Sequence, residues 1–231
     1  MVAMRRPKER GQAEHGWLKS CHTFSFASYF DPEHTKFRAL RVLNEDWIPS
    51  GKGFGTHPHE NMEIITYVVE GEIEHKDSMG NGSVIRRGAL QRMTAGTGVT
   101  HSEFNPTAQE THLLQIWIYT ERIGLEPGYE QRDFPSRWKP NELVLLASQT
   151  GKRNSLTIHQ DVEIYGGLLK TGKQLEHEIS LDRHAWIQMI KGQLIVNGID
   201  LQAGDGAAID EEKLITLAAA ESSEFLLFAL A

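Results

Sequence analysis

The sequence lacks the features of a secreted, membrane-spanning or nucleic-acid-binding protein. Its 231 residues include one cysteine, Cys21, so no internal disulfide can form, and this predicts a reducing compartment and a cytoplasmic location. No apolar segment follows the basic start, which excludes a signal peptide or transmembrane helix there. The formal net charge of -7 argues against a nucleic-acid surface. We expect neither a membrane nor a nucleic-acid partner. We expect the basic side chains near the start, Arg5, Arg6, Lys8 and Arg10, to be solvated.

Long helical periodicity is also missing, and this favours an all-β fold. Short apolar segments separated by Gly and Asn turns are typical of antiparallel sandwiches and barrels. The segment 120–140 contains three prolines and few alternating apolar positions, so we expect a connector there. The main predicted strand segments are 38–44, 62–73, 90–94, 112–119, 143–147, 164–169, 186–190, 194–196 and 225–230.

The two halves of the chain show a weak internal repeat. Val69–Ile73 matches Ile190–Leu194, and each segment has a glycine at its centre. We therefore predict two copies of one fold, an N-terminal domain of residues 1–135 and a C-terminal domain of residues 136–231. In this alignment the positions equivalent to the first copy's ligand-type residues are Glu178, Ser180, Leu217 and Ala219, so we expect the second copy to lack a metal site, with His177 one residue out of register.

Two short clusters carry ligand-type side chains, His57-Pro58-His59 and His101-Ser102-Glu103. Residues two apart in a strand point to the same side, so each cluster presents two ligand-type groups together. Three imidazoles and a carboxylate suit a divalent transition metal and leave coordination positions open for a substrate. The sequence therefore predicts a metal site with the capacity for chemistry.

The residues around these clusters resemble known sequence motifs. The spacing of Gly51, His57, His59, Glu63 and Gly71 resembles the first cupin motif, and that of Gly88, Gly98, His101 and Asn105 resembles the second. The segments that narrow the match are His15-Gly16-Trp17-Leu18, His22-Thr23-Phe24-Ser25-Phe26, Gly55-Thr56-His57-Pro58-His59, Glu74-His75-Lys76-Asp77-Ser78-Met79-Gly80 and Ala95-Gly96-Thr97-Gly98-Val99-Thr100-His101-Ser102-Glu103. They resemble the pirin family, strongly in the N-terminal half and loosely in the C-terminal half.

That resemblance implies a bicupin: a monomer with two antiparallel β-barrel domains of the jelly-roll type and metal in the N-terminal one only. It places the metal ligands at His57, His59, His101 and Glu103. In other cupins the glutamate of the first motif is the ligand, which here is Glu63. Strand parity does not decide between Glu63 and Glu103, and Glu63 is also a candidate for orienting an imidazole.

The pirins most similar in sequence imply a metal-dependent quercetin 2,3-dioxygenase, which opens the central ring of a flavonol with O2 and releases carbon monoxide. Glu103 is then also the catalytic group, since it can take the proton of the bound substrate hydroxyl. We expect iron as the metal, although mixed imidazole and carboxylate ligands suit Mn, Co, Ni, Cu or Zn as well. Two alternatives stay open: a metal-binding regulatory protein that acts through a protein partner, and a different cupin oxygenase acting on another small phenol. We interpret the remaining histidines, His22, His75, His112, His159, His177 and His184, as ordinary core or surface residues.

Overall fold

The computed structural model describes residues 1–14, 16–134, 138–180 and 182–231. The predicted domain boundary between residues 135 and 136, and His15 of the first motif segment, lie outside the described residues. Nearly all regular structure is β-strand, with short 3-10 helices at Pro7–Glu9 and Lys152–Asn154, so the predicted all-β fold class is confirmed. In the described ranges no helix has the length and apolarity to cross a membrane.

The strands follow one another with short turns. Those of the first half are β1 (Val2–Arg5), β2 (Gly11–Glu14), β3 (Lys19–His22), β4 (Leu40–Ile48), β5 (Gly53–His59), β6 (Met62–Glu70), β7 (Glu72–Asp77), β8 (Gly82–Arg86), β9 (Ala89–Thr94), β10 (Val99–Phe104), β11 (Thr111–Tyr119) and β12 (Gly128–Asp133). Those of the second half are β13 (Leu143–Ser148), β14 (Leu156–Thr157), β15 (Val162–Leu169), β16 (Gln174–Glu178), β17 (His184–Lys191), β18 (Gln193–Val196), β19 (Ile199–Gln202), β20 (Gly206–Ile209), β21 (Leu214–Ala219) and β22 (Ser223–Leu230).

The predicted strand segments all overlap observed strands, with two differences in detail. The segment 62–73 is divided at Gly71, whose φ of 80° lies in the left-handed region and turns the chain between β6 and β7. The predicted connector at 120–140 was wrong for 128–133, which form β12 and pair with β9. Few apolar residues alternate in β12, because its side chains are mostly half-buried at the edge of the sheet.

The chain forms two compact units. The N-terminal unit comprises Gly11–Phe134 and Leu156–Gln160, and the C-terminal unit comprises Met1–Arg10, the described part of Pro135–Ser155 and Asp161–Ala231. The simple division of the sequence at residue 135 stays a prediction.

The N-terminal unit contains two antiparallel sheets. The larger has the strand order β12-β9-β6-β11-β4-β3-β2, and the smaller has the order β5-β10-β7-β8. Ile73 and Ile85 of the smaller sheet share a buried cluster with Val68 and Leu113 of the larger one, so the core lies between the two sheets. In β10 buried and more exposed residues alternate, as expected for a strand with one face on this core.

The C-terminal unit repeats this topology. Its larger sheet contains the order β1-β20-β17-β22-β15-β13, and its smaller sheet has the order β16-β21-β18-β19. Gly192, with φ of 77°, occupies the turn between β17 and β18 that Gly71 occupies between β6 and β7. The repeat inferred from the sequence is therefore a repeat of strand topology.

The basic start is not solvated throughout, and that expectation was wrong. Strand β1 pairs with β20, and the side chains of Arg5 and Arg10 are 6% and 4% exposed. Arg6 forms an ion pair with Asp205. Sequence reasoning missed these contacts because their acidic and carbonyl partners are about 200 residues further along the chain.

Candidate metal centre and substrate pocket

The two sequence clusters lie on neighbouring strands of the smaller sheet in the N-terminal unit. His57 and His59 are on β5, and His101 is on β10 directly opposite His57 in the antiparallel register. Because His57 and His59 are two residues apart, both point to the same side of their strand. The structure thus brings together the three histidines that the sequence singled out.

Close approach of these strands depends on Gly53. The register between β5 and β10 shifts between His101 and Glu103, a β-bulge that re-aims the side chains that follow it. A Cβ at position 53 would lie 2.0 Å from the carbonyl oxygen of Glu103 and 2.6 Å from the Cα of Phe104. Only glycine permits this approach, so the bulge on β10 depends on Gly53 of β5 as well as on the residues of β10.

The imidazole nitrogens converge at one point. The Nε2 atom of His101 lies 3.0 Å from Nε2 of His59 and 3.1 Å from Nε2 of His57. The Nδ1 of His57 is 2.7 Å from the carbonyl oxygen of Gly55, and since a carbonyl only accepts, that nitrogen carries the proton and its Nε2 keeps the lone pair. Three imidazole nitrogens that converge at this distance can bind one cation together, so the donor set fits a divalent transition metal.

The orientation of His101 is set from behind by a buried pair, His75 and Asp77. Nδ1 of His101 lies 3.4 Å from Nδ1 of His75, and Nε2 of His75 lies 3.2 Å from a carboxylate oxygen of Asp77. Both His75 and Asp77 have fully buried side chains. Since the carboxylate accepts from His75, the free lone pair of His75 faces His101, which donates to it and directs its own Nε2 lone pair at the cluster.

The environment keeps these imidazoles neutral. Burial, followed by the nearby charge of His57, lowers the pKa of His59 to about 4. Burial also lowers the pKa of His101 to about 3, with smaller contributions in the same direction from the histidines around it. Burial lowers the pKa of His75 too, although its bond to Asp77 opposes this. Neutral imidazole is the form that binds metal ions.

Glu103 is buried beside His101 and His75, and its carboxylate forms a second possible ligand group with those two side chains. It accepts hydrogen bonds from the hydroxyl of Thr66 at 3.0 Å and from Nε2 of Gln115 at 2.6 Å. Burial raises its pKa to about 7, and the two hydrogen bonds only partly offset this. The carboxylate is not part of the group formed by the three histidines in this geometry. Its role as fourth ligand stays a prediction.

Glu63, the alternative carboxylate, is engaged elsewhere. Its side chain is fully buried, accepts from the Thr94 hydroxyl at 3.0 and 3.1 Å, and lies 2.9 Å from Nδ1 of His159. Arg92 makes an ion pair with it at 3.7 Å. Glu63 thus orients an imidazole, as considered from the sequence, but the imidazole is that of His159. Among the described residues it belongs to no group suited to a metal.

The second copy has one histidine on β16, His177, and this strand corresponds to β5. Leu175 lies opposite Leu217 and His177 lies opposite Ile215. Because His177 is two residues from Leu175, both lie on the same face of β16, so the expected turn of His177 to the opposite face was wrong. Within the described part of the C-terminal unit, no three His, Cys, Asp or Glu side chains come together as a possible metal site.

A pocket of about 440 Å³ opens onto the histidines and Glu103. This volume is in the range of sites for small molecules. Trp17 and Phe54 pack edge to face on its wall at 5.4 Å between ring centroids, and Phe26 and Trp117 do so at 5.3 Å. A flat aromatic ligand fits such walls, because edge-to-face and offset stacking are favourable for π systems.

Sequence reasoning missed four contributors to this site. His75 was interpreted as an ordinary residue, yet it supports His101. The available signal was the aspartate two residues after His75, which lies on the same face of the strand and is buried with it. Gln115 and Asn44 also line the pocket. Gln115 interrupts the apolar segment Leu113–Ile118 of β11, and a polar residue within an apolar strand is the signal that identifies it. Asn44 is followed by Glu45 and Asp46 in β4, so no such signal marks it. His22 also lines the pocket, in contrast to its interpretation from sequence.

Comparison with known proteins extends this picture over the whole chain. The family model described as Pirin matches residues 3–118, and the model described as Quercetinase C-terminal cupin domain matches residues 145–230. The chain is 49% identical to a protein named quercetin 2,3-dioxygenase from Escherichia coli strain K12, covering 100% of this chain and 99% of that one.

Two solved structures have the same fold. The crystal structure of YhhW from Escherichia coli has a TM-score of 0.96 and 48% sequence identity, with 100% of this chain and 98% of that chain covered. The structure described as bacterial pirin YhhW in complex with nickel(II), from the same organism, has a TM-score of 0.95 and 48% identity, with 100% and 99% covered.

Proposed function

Since this chain belongs to the pirin family, we propose that it is a metal-dependent quercetin 2,3-dioxygenase. In this reaction O2 opens the central ring of the flavonol, both oxygen atoms enter the depside product, and one ring carbon leaves as carbon monoxide. A relative that carries the name of this enzyme is 49% identical over the full chain. The predicted family, fold class and enzyme class agree with that likeness.

The observation that carries the proposal is the convergence of three imidazole Nε2 atoms at the end of an aromatic-walled pocket. His57, His59 and His101 all line the pocket, so a metal held by them faces the space that a substrate would occupy. The three histidine ligands, alone or together with the carboxylate of Glu103, leave a coordination position of the metal for the substrate.

We assign His57, His59 and His101 as metal ligands, with Glu103 as the fourth ligand and the catalytic base. A divalent cation supplies a Lewis acid that lowers the pKa of a hydroxyl group bound to it. Glu103 lines the same pocket, and its raised pKa of about 7 makes its carboxylate a proton acceptor matched to neutral pH. Thr66 and Gln115 hold the carboxylate in place while it accepts the 3-hydroxyl proton of the flavonol.

The identity of the metal is a separate point of the proposal. Imidazole and carboxylate ligands suit iron, and they also suit Mn, Co, Ni, Cu and Zn. A related structure is described as a complex with nickel(II). We propose iron as the native metal, in a cytoplasmic monomer with no nucleic-acid or membrane partner.

The test is aerobic turnover of quercetin after reconstitution of the protein with each of these metals in turn. We expect loss of flavonol absorbance together with carbon monoxide release, abolished in His59→Ala. His177→Ala is the matched control, because His177 lies on β16, the strand of the second copy that corresponds to β5, and should leave turnover unchanged. If no metal gives turnover above that of His59→Ala, the quercetin dioxygenase proposal fails, and the two alternatives, a regulatory protein and an oxygenase of another small phenol, replace it.

A further inference from the structure

A row of polar side chains crosses the inner face of the larger sheet in the N-terminal unit. Strand registers place Thr66 opposite Gln115, Gln115 opposite Asn44, and Asn44 opposite His22, on four successive strands. Residues directly opposite each other in a sheet point to the same face. The row begins at Glu103, which Thr66 and Gln115 both contact, and continues along the pocket.

On β6 and β11 the rows on either side of it are apolar. On one side Ile64 lies opposite Trp117, and on the other Val68 lies opposite Leu113. On β4 and β3 the second of these rows continues with Asp46 and Ser20, which bond to each other. Replacing buried polar groups by apolar ones of similar shape is often neutral or stabilising, so the polar row is not explained by the stability of the sheet.

Two amide oxygens of residues that line the pocket have no partner within the described chain. Oδ1 of Asn44 and Oε1 of Gln115 are buried and accept no hydrogen bond from any described residue, although the two side chains are only 3% and 7% exposed. A buried acceptor left unmatched costs about 1–3 kcal/mol. Elsewhere in the pocket, Ser20 donates to Asp46 and the amide nitrogen of Gln115 donates to Glu103.

We propose that Asn44 and Gln115 form a hydroxyl-recognition subsite, in which their amide oxygens accept hydrogen bonds from a phenolic hydroxyl of the substrate away from the hydroxyl bound at the metal. The inference rests on the proposed function. It specifies the substrate class as polyhydroxylated flavonols. An analogue that lacks the matching hydroxyl would leave the buried amide oxygens unpaired in the complex, and its binding is therefore disfavoured.

The geometry restricts which part of the ligand this subsite contacts. Gln115 reaches Glu103 directly, and Asn44 is one strand further from the metal ligands, a spacing of about 4.8 Å in a sheet. One planar ligand can therefore present its 3-oxygen to the histidines and a second hydroxyl to Asn44 and Gln115 within the same pocket.

The test compares two ligands on metal-loaded protein without O2, so that binding is measured without turnover. Dissociation constants of quercetin and of 3-hydroxyflavone, which has only the 3-hydroxyl, are measured by calorimetry for the wild type and Asn44→Leu. We expect Asn44→Leu to weaken quercetin binding about tenfold and to leave 3-hydroxyflavone binding unchanged. Thermal stability should not fall, since an unmatched acceptor is replaced by an apolar group of similar size.

Gln91→Leu is the matched control. Gln91 continues the same row on β9, opposite Thr66, and its side chain is 1% exposed with both amide atoms unpartnered among the described residues, but it does not line the pocket. It should change the binding of neither ligand. Equal effects of Asn44→Leu on the two ligands, or no effect on either, would overturn the subsite while leaving turnover of quercetin intact. Absence of turnover and of flavonol binding in the wild type would instead overturn the proposed function and the subsite with it.

Discussion

Glu63 and Glu103 are both buried carboxylates near the candidate site, and isosteric substitution separates their roles. Glu63→Gln removes the charge while keeping the side-chain shape. It breaks the ion pair with Arg92 at 3.7 Å and the contact with His159 at 2.9 Å, and leaves one oxygen for Thr94. Breaking a buried ion pair costs about 3–5 kcal/mol, and we expect about 3 kcal/mol here because Arg92 keeps its contact with Glu130.

A loss of that size is easily measured. For a chain of 150–250 residues, each kcal/mol corresponds to about 2–4 °C in Tm, so Glu63→Gln should lower Tm by about 6–12 °C. Metal content should be unchanged, because Glu63 contacts none of the three site histidines and its imidazole partner is His159. The assays are thermal unfolding monitored by circular dichroism and metal stoichiometry after reconstitution.

Glu103→Gln is the paired variant, with the opposite expectation. Burial raises the pKa of Glu103, so the folded state disfavours its charged form, and the amide should not lower the stability of the metal-free protein. Metal affinity should fall by at least the 10–100-fold typical of losing a group that supports a ligand. The reasoning is refuted if Glu63→Gln loses metal at unchanged Tm while Glu103→Gln retains it, since Glu63 would then be the ligand.

Two further perturbations test how buried groups support the two units. Asp77→Asn replaces the carboxylate that accepts from His75 by an amide that can donate, which turns the lone pair of His75 away from His101. We expect metal affinity, measured by equilibrium dialysis, to fall about 10–100-fold. Unchanged affinity would contradict the assigned tautomers. In the C-terminal unit burial lowers the pKa of His177, with Glu163 opposing. The unfolded state therefore binds more protons below its own pKa of about 6.5, and stability falls as pH drops through that value. His177→Asn should lose less Tm than the wild type between pH 7 and pH 5, and equal losses would show that His177 makes no such contribution.

The support of His101 illustrates how tertiary contacts define this site. His75 lies on β7 and His101 on β10, and the two strands pair so that Glu103 is opposite His75. The buried network of Asp77, His75 and His101 thus depends on the register of strands that are more than 20 residues apart in sequence. Such a contact cannot be inferred from residue spacing along one strand.

The sequence by itself determined the features that depend on the period of a strand. Residues two apart share a face, so His57 and His59 had to act together, and short apolar segments with glycine turns indicated the all-β repeat that the strand order confirms. Only the tertiary structure decided which carboxylate lies beside the imidazoles, because Glu63 and Glu103 both lie an even number of residues from a site histidine and differ in their partners on neighbouring strands. The same holds for Asn44, since register between strands is set by long-range pairing and places it beside Gln115 at the pocket.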